Sequence, residues 1–108
     1  RSTPTADAPA PASVNQLVLS ARIVEATPLR YTPAGLPALD LKLEHESEQV
    51  DAGQPRQVKA ALKATAFGSL AETLARRAAG SAGRFHGFLA TPRNGKLVVF
   101  HIQAFQQD

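Results

Sequence analysis

The side chains able to do chemistry in this chain are three histidines, a short run of carboxylates and a scatter of lysines and arginines. His45, His86 and His101 have no histidine or carboxylate at helical metal-ligand spacing. His45 lies between Glu44 and Glu46, but on a strand those neighbours point to the opposite face. Each histidine therefore reads as structural or merely exposed. Glu44, Glu46 and Glu48 line one strand face without a charged partner or apolar pocket to raise a pKa. Cysteine is absent, which excludes disulfides, thiolate zinc sites and a cysteine nucleophile. No Gly-x-Ser-x-Gly, Walker A or Rossmann glycine pattern is present. An enzyme is not expected, nor a metal or cofactor.

What remains is charge. Residues 1–53 hold four basic and seven acidic side chains, whereas residues 54–108 hold eight and two. A net charge of +3 thus conceals a strongly basic C-terminal half, which suggests an anionic partner.

The elements that must position these charges follow from periodicity. The 108 residues are 44% hydrophobic and 19% charged, enough for one packed domain. Residues 1–13, rich in Pro, Ala, Ser and Thr, read as a disordered tail, and residues 14–108 as the folded domain. No apolar run approaches the ~20 residues that span a bilayer. Leu17, Leu19, Ala21 and Ile23 share one face of a first strand. Leu39, Leu41 and Leu43 alternate with Asp40, Lys42 and Glu44 in a second. Glu46 to Pro55 reads as a loop, and Val58 to Thr65 as a third strand with Lys59 and Lys63 on its outer face. Ser69 and Glu72 form a capping box opening a helix, with Arg76 and Arg77 in its last turn. A fourth strand runs from about Arg84 to Ala90, with Gly87 marking a bulge or bend. Asn94-Gly95 signals a hairpin. The last strand, Leu97 to Phe105, places Val98, Phe100, Ile102 and Ala104 inward.

Five strands with one short helix between the third and fourth is the layout of the OB-fold, an all-β Greek-key barrel. Oligonucleotides lie across strands 2 and 3 of that fold and the loops joining strands 1–2 and 4–5. The basic residues on this surface are Arg56, Lys59 and Lys63 on or beside strand 3, Arg93 and Lys96 in the 4–5 hairpin, and Arg30 in the 1–2 loop beside Tyr31. Such a face neutralises phosphates. Aromatic platforms are scarce: Tyr31 is exposed by its place in a loop, Phe88 is out of phase with its strand, and the other phenylalanines read as core. Strand 1 is apolar, and an unpaired edge there invites a second copy of the chain.

Asn15-Gln-Leu-Val-Leu-Ser20, Pro28-Leu-Arg30, Pro33-Ala-Gly-Leu-Pro37 and Leu43-Glu-His-Glu-Ser47 occur in this order, followed by Gly53, Arg56-Gln57, Gly80-Ser81, Gly87-Phe88 and Asn94-Gly95. Across residues 15–105 the series resembles the primosomal replication protein N family, small OB-fold accessory proteins of bacterial replication restart. The resemblance implies a cytoplasmic homodimer that binds single-stranded DNA, contacts the restart helicase and hands over to the helicase-loading machinery. It assigns DNA contacts to Arg93, Lys96 and Arg56. Gln54 and Lys59 stand where familiar members carry aromatic residues, and the 4–5 loop is shorter, so binding is expected to be led by charge. Two other readings stay open: a helicase adaptor with vestigial DNA binding, and a general single-stranded-DNA-binding protein.

Overall fold

The computed structural model describes residues 13–77 and 79–107; most of the proposed N-terminal tail lies outside them. The chain order is β1 (Leu17–Ala26), β2 (Arg30–Tyr31), β3 (Pro37–Asp51), β4 (Gln54–Phe67), α1 (Ser69–Ala75), β5 (Ala82–Ala90) and β6 (Val99–Gln107). β2 is a two-residue pairing within the loop from strand 1 to strand 2, so the five long strands are those expected. β1 pairs antiparallel with β5 through Leu17–Arg22 and with β3 through Arg22–Ala26. β3 pairs with β4, β4 runs parallel to β6, and β6 returns antiparallel to β5. Each long strand has two neighbours and the ladder closes on itself, the all-β OB-fold arrangement.

The alternating residues of each strand fill the interior. Ile23, Leu39, Leu43, Phe85 and Phe100 are wholly buried, with Ala64 and Ala66 giving the aromatic rings room. α1 adds Ala71 and Leu74 to the same core.

Six local expectations change. Glu46 to Pro55 is not a loop: β3 and β4 continue into a two-stranded arm that turns at Ala52-Gly53. Both turn residues have positive φ, 53° and 77°, as a two-residue hairpin requires. From Glu48 to Gln57 every residue is exposed, so no buried face imprints an alternating pattern on the arm. The helix is capped by Gly68 (φ 74°) without a side-chain hydrogen bond, and Ser69 is already helical. Arg76 is the C-cap, and Arg77 has left the helix to lie over the Phe105 ring at 5.4 Å and donate to Gln107 Oε1 at 2.6 Å.

Val98, just before β6, and Ala104 within it are exposed, and Phe105 packs against the core instead. His86 pairs with Ala104 while Gly87 pairs with Ile102, so Gln103 is an extra residue that reverses the phase. Asn94 and Gly95 end a turn opened at Pro92, where Gly95 N–H donates to Pro92 O at 3.0 Å, within a longer connection of residues 91–98. Finally, β1 is not an unpaired edge. Its Leu17–Ala21 stretch pairs with β5 alone, its Ile23–Ala26 stretch with β3 alone, and on the former His45 Nδ1 lies 2.6 Å from Ser20 O.

Candidate nucleic-acid interface

The β3–β4 ladder sets the outward side chains in register: Asp40 opposite Thr65, Lys42 opposite Lys63, Glu44 opposite Ala61 and Glu46 opposite Lys59. Lys42 and Lys63 thus stand directly across from each other at the wall of a groove of ≈ 480 Å³. Glu25, Thr27 and Asp40 line one side of it, and Pro92 and Val99 bring in the 91–98 connection. Arg93 and Lys96 lie exposed on that connection. None of Lys42, Lys63, Arg93 and Lys96 makes an ion pair among the described residues. Like charges directly opposite on a sheet are unfavourable, and an anion between them reverses the sign of that interaction.

The other expected cations are already engaged. Arg30 holds Asp40 with two bonds, Nε to Oδ2 at 2.8 Å and Nη2 to Oδ1 at 3.1 Å. Arg56 projects from the opposite face of the arm to Lys59 and bonds Asp51 Oδ2 at 3.1 Å. Lys59 shares the face of Lys63 but stands 3.9 Å from Glu46. Tyr31 is 63% exposed on β2. Lys63 thus lines the groove, Arg93 and Lys96 lie on the connection that reaches it through Pro92 and Val99, and Arg30, Arg56 and Lys59 stand beside carboxylates. Lys42 went unnoticed in the sequence. Its alternation with Leu41 and Leu43 put it outside, but only the strand register puts it beside Lys63.

The Arg30 hydrogen bonds hold the Asp40 carboxyl below its ordinary value, against partial burial that pushes it up, and with help from the Arg30 charge and Thr65. A depressed folded pKa contributes stability above the unfolded value, and that stability is lost as pH falls through the folded one. Both partners are about half exposed, so the contribution is about 1 kcal/mol or less. Asp40→Asn is expected to lower stability by that amount near neutral pH and by nothing near pH ~2, read from urea unfolding at both.

Two histidines have structural surroundings. His45 bridges Ser20 O and Ser47 Oγ at 2.6 and 2.7 Å, and His101 packs between aromatic rings. No group of three or more His, Asp or Glu side chains able to hold a metal occurs among the described residues.

The chain is similar to known proteins in sequence and in fold. A family model described as another single-strand binding protein family matches residues 15–104. The chain is 48% identical over 91 residues to the replication restart protein PriB of Bordetella pertussis, covering 83% of this chain and 85% of that one. It is 43% identical over 94 residues to PriB of Neisseria gonorrhoeae, covering 86% and 93%. The solved structure of PriB from Ralstonia solanacearum superposes with a TM-score of 0.81 at 37% identity, covering 88% and 98%.

Proposed function

From the premise that this chain belongs to the single-strand binding protein family, together with the replication restart proteins PriB, we propose that it binds single-stranded DNA as an accessory of the replication-restart primosome. The carrying observation is the unpaired Lys42–Lys63 couple beside a loop that adds Arg93 and Lys96. Phosphates of a single strand neutralise these four charges. No catalytic step is part of the role, and its setting is the cytoplasm, where replication restarts. The protein bound to DNA assists assembly of the restart helicase and the helicase loader.

The test is titration of labelled oligo-dT at several salt concentrations. Lys63→Ala and Arg93→Ala each weaken binding and flatten the slope of log K against log salt by about 0.7. Arg30→Ala leaves that slope unchanged, because its charge is already spent on Asp40. Unchanged slopes in Lys63→Ala and Arg93→Ala together place the DNA elsewhere.

We further propose a homodimer built on the part of β1, Leu17–Ala21, that has one strand neighbour in the monomer. Val18 is 56% exposed there. Sedimentation is expected to give twice the chain mass at micromolar concentration, and a monomer at that concentration removes the dimer. The arm supports a second reading, a protein-interaction adaptor, because it projects as a bare ladder with Val50 77% exposed. A pull-down of the restart helicase by the Lys63→Ala variant separates the two, since an adaptor keeps its partner.

A further inference from the structure

The outer face that carries Lys63 also carries an aromatic row with no role in the charged groove. Successive outward positions on β4 are Lys63, Thr65 and Phe67, and on β6 Val99, His101 and Gln103, with Thr65 paired to His101. Phe88 on β5 pairs with His101 from the other side. The rings meet: His101 stacks on Phe88 with centroids 4.9 Å apart and planes 14° apart, and lies 5.7 Å from Phe67 at 31°. Phe67 is 37% exposed, and Phe88 and His101 are half-buried. Beside them opens a hollow of ≈ 420 Å³, whose floor and walls include Ser69, Leu70 and Gln103. No carboxylate lines it.

Two special features of the fold act at the same point beside this row. Gly87 approaches β6 so closely that a Cβ there would collide with the His101 carbonyl and come within 2.9 Å of the Phe100 ring. The extra residue Gln103 follows at once on β6. A bulge re-aims neighbouring side chains, and here it leaves Phe88 flat against His101.

We propose that Phe67, His101 and Phe88 form a base-stacking shelf that extends the path of single-stranded DNA from the lysine groove toward α1. The occupant is an unpaired nucleobase. Its flat π-face matches exposed rings, its phosphates reach back to Lys63 and the 91–98 loop, and the absence of carboxylates in the hollow suits a polyanion. The shelf restores on β4, β5 and β6 the stacking that Gln54 and Lys59 do not offer on the arm. This inference rests on the DNA-binding reading above.

The experiment compares oligo-dT of about 16 nucleotides with an abasic strand of the same length, at one low salt concentration and then across salt. Phosphates are equal in the two strands, so charge alone binds them equally. The wild-type protein is expected to prefer oligo-dT by roughly ten- to a hundredfold. Phe88→Leu and His101→Leu, which keep apolar bulk, lose most of that preference while the salt slope stays as in the wild type. Equal binding of both strands by the wild type overturns the shelf and leaves the charged groove standing. A wild-type preference that survives in both variants also overturns it, and assigns the rings to packing or to a protein partner. Failure of the wild type to bind either strand overturns the DNA-binding reading itself, and the shelf with it.

Discussion

Raising the salt from 50 to 200 mM is expected to weaken binding to oligo-dT by about 50-fold. Four cations without an ion pair among the described residues, Lys42, Lys63, Arg93 and Lys96, border or adjoin the groove. For single strands each neutralised phosphate adds about 0.7 to the slope of log K against log salt, so four give a slope near −2.8. Engagement of Arg30, Arg56 and Lys59 as well would carry the slope toward about −5. Their existing partners argue against that: each would have to exchange Asp40, Asp51 or Glu46 for a phosphate, which releases no counterion in proportion. A slope well beyond −4 would mean that the arm closes onto the strand and its ion pairs open. Stacking on the Phe67–His101–Phe88 row adds affinity without steepening the slope, since a base contact displaces no condensed ion.

Phe100→Ala is expected to destabilise the fold by about 3–5 kcal/mol. Phe100 is fully buried and sits where the parallel β4–β6 pairing closes the barrel, opposite Ala64 and beside Leu89. Its small neighbours Ala64 and Ala66 have no atoms with which to fill the space left behind. Domains of this size are stable by only about 5–15 kcal/mol, so the loss is a large fraction of the whole. Thermal unfolding should show a midpoint lowered by more than about 10 °C. Phe105, half-buried at the rim under the Arg77 guanidinium, should cost less when cut to alanine, because its site can collapse or admit water. Equal losses in the two variants would contradict the placement of Phe100 at the centre of the core.

Much of this fold is legible in the residues. Leu39, Leu41 and Leu43 alternate with polar neighbours because one face of β3 is buried and the other wet, and that contrast writes itself into the sequence. Gly87 announces its bulge for a similar reason: a backbone approach that excludes a Cβ restricts the residue type. The arm from Glu48 to Gln57 left no such mark. Neither of its faces is buried, so nothing constrains polarity, and Pro55 and Gly53 resemble loop punctuation. The capping box misled because Ser69 and Glu72 have the right spacing, yet the chain leaves β4 through a positive φ that places Gly68 at the cap.

The sequence by itself determined an all-β fold and a basic C-terminal half, because burial periodicity and charge are local properties. It named most of the cations available for an anionic ligand. Which of them are free was decided by tertiary structure alone. Lys42 meets Lys63 through strand register, Arg30 meets Asp40 across β2 and β3, and His101 meets Phe88 and Phe67 across three strands. These pairings join residues from 10 to 34 positions apart, and ion pairing and ring stacking depend on distances of a few ångströms that no spacing along the chain can specify.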